Sequence, residues 1–287
     1  MRAIVVGDGP MGSAVASALR DRGDGVTLLG RPAGTHPPAR FGGADVVFEF
    51  SRGNAVLPNV AAALAGGCRA FVVGTTAWTV DRAEIAAILS QHGAAAVVSA
   101  NFSPGVNLLG RLVEAASAMF GALPAYDPYV VEWHRRGKAD RPSGTALELG
   151  RRILDAHPAK RRLADGSRDG PPAPDELEVV GVRAGSSPGM HLVGFDAPGE
   201  TIELRLTARD RSAYALGAIA AADWLLRAPR RPGIHAFDAV VDELLRTAEV
   251  RAPRTGTPRP GNPDTPAPMR AITVEQPTAL RTTGGPR

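Results

Sequence analysis

Cysteine, lysine and long apolar runs are scarce in this 287-residue sequence, and each shortage excludes a class of protein. Its single cysteine, Cys68, cannot form an internal disulfide, so a disulfide-stabilised scaffold is excluded. Because Cys68 comes just before an apolar segment, we expect a small buried residue and not a redox group or nucleophile. No apolar run approaches the roughly 20 residues that span a bilayer, and the opening MRAIVVG is typical of a strand. We therefore expect a soluble, cytoplasmic protein without a membrane partner.

A basic face is also lacking over most of the chain. The net charge of +4 arises in residues 251–287, which contain six Arg against Asp264 and Glu275, whereas basic and acidic residues are equal in number before them. Such a balanced surface does not follow nucleic-acid phosphates, so no nucleic-acid partner is expected. Residues 251–287 are rich in Pro, Thr and Gly without periodicity, which predicts a disordered tail.

Apolar runs alternate with helical patterns over the first hundred residues. The apolar runs are at 3–7, 25–30, 45–50, 69–74 and 94–100, and the helical patterns are at 11–22, 54–64 and 80–91. This alternation predicts an α/β fold, a doubly wound parallel sheet of the Rossmann type with helices on both faces.

The pattern changes after residue 103. A helix is predicted over 105–120, and three later strand patterns follow one another without helices between them, at 177–185, 189–195 and 200–208. Consecutive strands predict a second, α+β domain with a mainly antiparallel sheet. Helical patterns over 213–226 and 236–248 are placed back on the first domain, which we expect to comprise residues 1–103 and about 211–250.

A glycine-rich loop follows the first predicted strand. Gly7, Gly9 and Gly12 have the G-x-G-x-x-G spacing, between a strand and the start of a helix. The first glycine permits a tight turn, the second lets the backbone approach a pyrophosphate, and the third lets helix and strand pack closely. The unpaired N–H groups of the helix N-terminus then face the phosphates. This arrangement predicts a dinucleotide site; the alternative is that these glycines serve only the turn.

The second strand indicates which dinucleotide binds. NAD-specific sites usually end this strand with an acidic residue that binds the ribose 2'-hydroxyl. Here the strand ends VTLLGRPAG, with Arg31 and no acid, which suits a 2'-phosphate. We expect NADPH as the cofactor, with NADH as the alternative if Arg31 is only a solvated arginine.

The stretch EWHRRGKADRPSGTA combines a proton-transfer group with a site for anions. In a strand ending YVVEWH, Glu132 and His134 lie on the same face. A helix follows whose first turn is Ser143, Gly144 and Thr145, so hydroxyls and free N–H groups meet there. Histidine is the side chain that both gives and takes a proton near neutral pH.

Two cations precede that helix, Arg135 and Lys138, and they suit a second carboxylate. Only Lys138 and Lys160 are lysine among 33 basic residues, which favours a need for a compact ammonium group at 138. A small dianion is therefore the implied ligand. Asp140 is interpreted as a turn or capping residue. No metal site is predicted, because the six histidines are scattered without ligand spacing.

This motif resembles that of the 4-hydroxy-tetrahydrodipicolinate (dihydrodipicolinate) reductase family. The family signature is E-x-H-x-x-x-K-x-D-x-P-S-G-T-A, and it matches Glu132, His134, Lys138, Asp140, Pro142, Ser143, Gly144, Thr145 and Ala146. The resemblance extends to GDGPMG, VVFEFS, VGTTAW, ANFSPGVNLL and VRAG. It covers about residues 1–250 and leaves out the tail.

The resemblance implies an NADH- or NADPH-dependent reduction of a cyclic unsaturated dicarboxylate in lysine and diaminopimelate biosynthesis. It implies His134 as the proton donor, Lys138 as the group that holds or polarises the substrate, and Ser143, Gly144 and Thr145 as carboxylate ligands. It also implies a homotetramer formed through a substrate-binding and oligomerisation domain of residues 104–210. The residues implied for the cofactor are Gly7, Gly9, Pro10, Met11, Gly12, Gly74, Thr75, Thr76, Asn101, Phe102 and Ser103.

The sequence departs from the family pattern at three positions. Many members have histidine where this chain has Arg135 and Gly137, and the glycine that ends a GTTG element is Ala77 here. An arginine in place of a substrate-contacting histidine changes both the shape and the charge of the pocket. Two alternatives therefore stay open: a related reductase acting on another cyclic imine or unsaturated acid, and a catalytically silent NADPH-binding regulator.

Overall fold

Two β-sheets form the framework of the computed structural model, which describes residues 1–30, 36–78, 81–164 and 170–251. Arg31 and residues 252–287 of the predicted tail lie outside the described residues. Residues Met1–Thr247 form one compact unit. The division of residues 1–250 into two domains with the boundaries predicted above stays a prediction.

The first sheet has six strands, and all of its strand pairs are parallel. The strands are β1 (Arg2–Val6), β2 (Gly25–Leu29), β3 (Val46–Glu49), β4 (Ala70–Val73), β5 (Ala95–Val98) and β11 (Gly233–Ala236), in the order β11-β5-β4-β3-β1-β2. This confirms the predicted parallel sheet. The edge strand β11 was missed by the sequence analysis, because its four residues, GIHA, are too short and too polar to form an apolar run.

Helices cover both faces of this sheet. They are α1 (Pro10–Asp21), α2 (Val56–Ala65), α3 (Arg82–Gln91), α6 (Ser212–Arg227) and α7 (Phe237–Arg251). Residues of α1, α6 and α7 share one apolar core with the sheet, and residues of α2 and α3 share the other. Burial on both faces explains why the strands are continuous apolar runs. Cys68 lies in the second core, where burial raises the pKa of its thiol to about 11.

The second sheet has five strands, β6 (Asp127–His134), β7 (Arg162–Leu163), β8 (Glu176–Arg183), β9 (Met190–Ala197) and β10 (Glu200–Thr207), in the order β10-β9-β6-β8-β7. Strand β9 is antiparallel to both of its neighbours, but β8 is parallel to β6 and to β7. The sheet is therefore mixed, with antiparallel pairing over more of its residues than parallel pairing. Two helices, α4 (Pro104–Gly121) and α5 (Gly144–Ala156), supply its apolar core.

The parallel pair β6–β8 has a simple cause. Strand β6 is followed by α5 and then by β7, and a strand–helix–strand connection brings β7 back in the direction of β6. Strand β8 is parallel to β7 and therefore also to β6. The strand patterns after residue 176 gave no information on how β8 pairs with the earlier β6.

None of the helices within the described ranges has the length and apolar character needed to cross a bilayer.

Candidate active site

The glycine loop has the geometry that its spacing predicted. Gly7 follows β1 with a φ of +105°, a left-handed conformation that favours glycine. A Cβ on Gly12 would lie 1.8 Å from the Gly7 carbonyl oxygen, so no side chain fits there. A Cβ on Gly9 would meet none of the described residues within 4 Å. Helix α1 starts after Gly9 with Pro10 in its first turn and no side chain capping it, which leaves its N-terminal amides available to an anion.

A cleft of about 610 Å³ opens at this loop, within the usual size of small-molecule sites. It is lined by Val6, Gly7, Asp8, Gly9, Gly30, His36, Phe50, Ser51, Arg52, Asn54, Ala55, Pro58 and Asn59. Its glycine loop, open helix N-terminus and size together fit a dinucleotide. Pro10, Met11 and Gly12 lie at the start of the adjoining helix.

The loops after β3 and β4 meet at a buried carboxylate. Glu49, the last residue of β3, is fully buried, and its carboxylate accepts hydrogen bonds from the amide and hydroxyl groups of Ser51, from Asn59 Nδ2 at 3.0 Å and from Thr75 Oγ1 at 3.2 Å. Burial is the largest effect and raises the pKa of Glu49 to about 7, although these hydrogen bonds oppose it.

The loop after β4, which holds the predicted cofactor residues Gly74, Thr75 and Thr76, packs closely against its neighbours. A Cβ on Gly74 would lie 2.1 Å from the ring of Phe50, so this position requires glycine. Ala77 has a φ of +61°, which explains why the related family has glycine there. The side chain of Thr75 is turned towards Glu49, and Thr76 is exposed.

Asn101 connects the two sequence motifs. Its Nδ2 atom donates a hydrogen bond of 3.3 Å to Thr145 Oγ1, so a predicted cofactor residue touches a predicted substrate residue. Ser103 caps α4 by accepting from the Val106 amide. Phe102 is 3% exposed, and its ring packs against Phe237 with the centroids 5.1 Å apart, so its side chain belongs to the core.

The substrate motif is built around a second buried carboxylate, that of Glu132. Its Oε1 atom accepts hydrogen bonds of 2.7 Å from the Ser143 amide and from the Arg183 guanidinium. Its Oε2 atom lies 3.1 Å from His134 Nδ1, as expected for two residues on one strand face. Burial alone raises the pKa of Glu132, but the hydrogen bonds from Ser143 and Arg183 outweigh it and hold this pKa below its usual value.

His134 is 7% exposed, and burial is the main reason that its pKa is below the ordinary value. Glu132 opposes this shift, whereas Lys138 and Arg183 add to it. The imidazole is thus neutral near neutral pH in the absence of a bound anionic ligand, although the Glu132 carboxylate lies beside it. Negative charge brought into the pocket would favour its protonated form.

A second histidine, His191, stands behind the first. It lies on β9, with its ring centroid 5.2 Å from that of His134 and its Nε2 atom 3.3 Å from Ser143 Oγ. Burial, followed by the charge of His134, lowers the pKa of His191 to about 4. His191 is therefore a neutral hydrogen-bonding residue at the start of α5.

Helix α5 begins as predicted. Ser143 is its N-cap, and the Ser143 hydroxyl accepts from the Ala146 amide at 3.2 Å. Gly144 is exposed, and a Cβ there would meet nothing within 4 Å, so a ligand can approach its backbone. Thr145 is half-buried beside Asn101. Ser143 itself is 3% exposed, so Gly144 and Thr145 are the accessible part of this helix N-terminus, where the amides and a hydroxyl favour an anion.

The two cations of the motif differ in their contacts. Lys138 Nζ donates to both carboxylate oxygens of Asp140, at 2.6 and 2.8 Å, so Asp140 is more than a turn residue. The hydrogen bond from Lys138 is the largest of the effects that hold the pKa of Asp140 below its usual value. Arg135 is exposed on the turn after β6, where its amide donates to the Ser187 carbonyl.

The structure qualifies the argument against a metal. Three potential metal ligands lie within 4.8 Å of one another, namely Glu132, His134 and His191. The two histidines are far apart in the sequence. However, Arg183 forms an ion pair with Glu132, and the charge of Lys138 also acts on both histidines. These positive charges disfavour a cation and suit an anion.

Sequence reasoning missed Glu49, Arg183 and His191. Strand register brings the last two to the site: β6–β8 pairing sets Arg183 opposite His134, and β6–β9 pairing sets His191 opposite Glu132. Glu49 had a detectable signal, because it is an acidic residue inside the apolar run DVVFEF, where burial is expected.

Comparison with known proteins gives a consistent result. The family model for the dihydrodipicolinate reductase C-terminus matches residues 105–241, and the model for the N-terminus matches residues 24–102. The 4-hydroxy-tetrahydrodipicolinate reductase of Methanoregula boonei is 37% identical over 197 residues, covering 69% of this chain and 74% of the relative. That of Halorhodospira halophila is 37% identical over 222 residues, covering 75% and 81%.

Among solved structures, dipicolinate-bound dihydrodipicolinate reductase from Paenisporosarcina sp. TG-14 is similar, with a TM-score of 0.63 and 16% identity over 82% of this chain and 97% of that chain. At this identity the likeness shows the fold alone. The glycine loop at residues 7–12 precedes the range matched by the N-terminal family model, so its interpretation depends on its own geometry.

Glu49 should make the stability of the folded chain depend on pH. Its pKa rises from 4.5 to about 7 on folding, so the folded state holds this proton more tightly than the unfolded state. The free energy of unfolding should therefore fall by up to about 3 kcal/mol as pH rises from below 4.5 to above 7. Glu49→Gln should remove this contribution, as measured by urea unfolding at a series of pH values.

The matched control is Glu84→Gln, which removes a carboxylate from the exposed face of α3. It should leave the slope of stability against pH unchanged. Equal slopes in wild type and Glu49→Gln would contradict the assignment.

Proposed function

Because this chain belongs to the dihydrodipicolinate reductase family, we propose that it reduces 4-hydroxy-tetrahydrodipicolinate to tetrahydrodipicolinate in lysine and diaminopimelate biosynthesis. The cofactor is a nicotinamide dinucleotide, which supplies a hydride when bound. The observation that carries the proposal is the hydrogen bond from Asn101 to Thr145, which joins the carboxylate-binding turn to the chain segment after β5. Carboxyl ends of parallel strands are where open α/β sheets bind their ligands.

The substrate is held by groups that match a dicarboxylate. One carboxylate binds at the start of α5, to the Gly144 amide and the hydroxyls of Ser143 and Thr145. The helix dipole contributes about 0.3–1 kcal/mol there, and each hydrogen bond to the charged group about 1.5–3 kcal/mol. When the substrate binds, Lys138 leaves Asp140 and binds the second carboxylate of the substrate. Arg135 lies at the rim of the pocket.

His134 donates the proton that completes the reduction. Glu132 lies against its Nδ1 atom and holds the ring in place, while the bound dianion raises the pKa of His134 and favours the protonated form. Glu132 is itself fixed by Ser143 and Arg183, so the proton donor and the carboxylate-binding turn share one support.

These roles predict separate kinetic effects. His134→Gln should lower kcat roughly 100- to 10,000-fold with little change in cofactor affinity, because the proton is delivered in the transition state. Activity is measured as NADPH oxidation, with substrate made in situ from pyruvate and aspartate semialdehyde by the upstream synthase. Lys138→Ala should raise KM and lower kcat, and Lys138→Arg should restore only part of the loss because a guanidinium differs in shape.

The control for these variants is His92→Gln, an exposed position at the end of α3, which should keep wild-type kinetics. Wild-type kcat in His134→Gln would remove the proton-donor role. Negligible wild-type turnover with tight NADPH binding would instead favour the alternative of a reductase for another cyclic imine or unsaturated acid, motivated by Arg135 and Gly137. A regulator without activity is disfavoured by the presence of His134 and Lys138.

NADPH is the proposed physiological cofactor, with NADH as the weaker substrate. Strand β2 ends at Leu29 and Gly30 without an acid, Arg31 follows, and Arg52 lines the cleft. The Asp8 carboxylate lies close to the end of β2, since a Cβ on Gly30 would be 2.8 Å from it. Its negative charge opposes the preference for a 2'-phosphate at this place.

Arg31→Ala should therefore reduce the ratio of kcat/KM for NADPH over NADH about tenfold or more, the value of a hydrogen bond to a charged group. Arg40→Ala is the control, because Arg40 is exposed and does not line the cleft, and it should keep the wild-type ratio. An unchanged ratio in Arg31→Ala would overturn the assignment.

A homotetramer is also proposed, formed through the outer face of the second sheet. Val131 and Trp133 on β6 lie opposite Val180 and Val182 on β8, and Trp133, Val180 and Val182 are each more than 40% exposed. A contiguous apolar strip of this kind typically forms an interface. Light scattering should give the mass of four chains, and Val180→Lys should reduce it whereas Leu216→Lys on α6 should not. A monomeric wild-type protein would exclude the proposal.

A further inference from the structure

The buried carboxyl group of Glu49 has no role in the reaction described above. It ends β3, between β1 and β4, with Val6 and Val73 as its neighbours across the sheet. Within the described residues, all the hydrogen bonds that it receives come from neutral donors: Ser51, Asn59 and Thr75. A buried acid without a cationic partner is costly to keep in its charged form, so the presence of a glutamate at this position calls for a physical reason.

The partners of Glu49 belong to two parts of the cofactor edge. Ser51 and Asn59 line the cleft at the glycine loop, whereas Thr75 stands in the loop after β4. The Thr75 amide and hydroxyl also bond to the Glu49 backbone carbonyl, at 3.3 and 3.2 Å. One residue thus holds together the loop after β3, helix α2 and the loop after β4.

We propose that Glu49 is a positioning residue for the dinucleotide and that it takes up a proton when the dinucleotide binds. This inference rests on the proposed function, since it requires a dinucleotide in this cleft. The positioning follows from the hydrogen bonds to Ser51, Asn59 and Thr75. The proton uptake follows from electrostatics, because an anionic ligand beside a buried acid favours its neutral form.

The network accommodates either form of the acid. Thr75 Oγ1 lies 3.2 Å from the backbone oxygen of Glu49 and 3.2 Å from its Oε1 atom. When Glu49 is ionised, the Thr75 hydroxyl donates to the carboxylate. When Glu49 is protonated, the Thr75 hydroxyl donates its hydrogen bond to the backbone oxygen and accepts a hydrogen bond from the protonated carboxyl group. Positioning is therefore kept while the charge is lost.

Other charged groups line the same cleft, and any test must distinguish their contribution to proton uptake from that of Glu49. They are Asp8 from the glycine loop, His36 from the segment after β2 and Arg52 from the loop after β3. Helix α2 and the loop after β4 contribute the neutral side chains of Asn59 and Thr75. Among the described cleft residues, His36 is the histidine, and it is therefore the residue to compare with Glu49.

Isothermal titration calorimetry of the full chain with NADH, in buffers of different ionisation enthalpy, measures the protons taken up on binding. NADH is used because the 2'-phosphate of NADPH, a monoester, itself titrates near pH 6. With a pKa of about 7 in the free protein, a tenfold higher proton affinity in the complex gives about 0.4 proton at pH 7. The dissociation constant of NADH should rise about fivefold from pH 6 to pH 8.

Glu49→Gln is the decisive variant. A glutamine keeps an oxygen for Ser51 and Thr75, and a rotated Asn59 amide accepts from its nitrogen, so the shape survives without the charge. The uptake and the pH dependence should disappear in Glu49→Gln and persist in His36→Gln. Uptake retained in Glu49→Gln, or lost in His36→Gln alone, would overturn the inference.

Wild-type protein alone also tests the idea, should Glu49→Gln fail to fold. Proton uptake must be largest between about pH 7 and 8, the interval between the free and bound pKa values. A maximum elsewhere, or binding without uptake, would refute the inference and leave the proposed function intact. Failure to bind either NADH or NADPH would overturn the proposed function, and this inference with it.

Discussion

The arrangement of residues 132–146 depends on one buried carboxylate, that of Glu132. It binds the amide that starts α5, pairs with Arg183 from β8 and lies against His134 on its own strand. A buried charge is stable only when paired and hydrogen-bonded, so its partners are held in place as firmly as the carboxylate itself. The first turn of α5 and His134 consequently have a common support, and neither can shift without disturbing the other.

A second buried carboxylate, Glu49, shows how the environment sets the behaviour of the same functional group. Glu132 has an arginine partner, and its pKa is lowered despite burial. Within the described part of the chain Glu49 receives hydrogen bonds from neutral donors, and its pKa is raised to about 7. The first is a permanent charge that organises the pocket. The second changes charge near pH 7, beside the cleft that fits the dinucleotide.

Much of the fold follows from local patterns. Burial on both faces makes β1, β3, β4 and β5 apolar runs, and these runs were visible in the sequence. The edge strand β11 and the two-residue β7 carry no such pattern and were missed. The mixed pairing of the second sheet was not foreseen either, because strand patterns describe which residues are extended and not which strands become neighbours.

The sequence by itself determined the local parts of both sites. Glycine spacing specified the loop before α1, alternation placed Glu132 and His134 on one strand face, and Ser143 marked the start of α5, since each depends on residues within a few positions. Only the tertiary structure decided which distant residues join them. Arg183 and His191 reach Glu132 through strand register, and Thr75 reaches Glu49 because β4 lies beside β3. Hydrogen bonds between neighbouring strands select those partners, and they form only when the chain has folded.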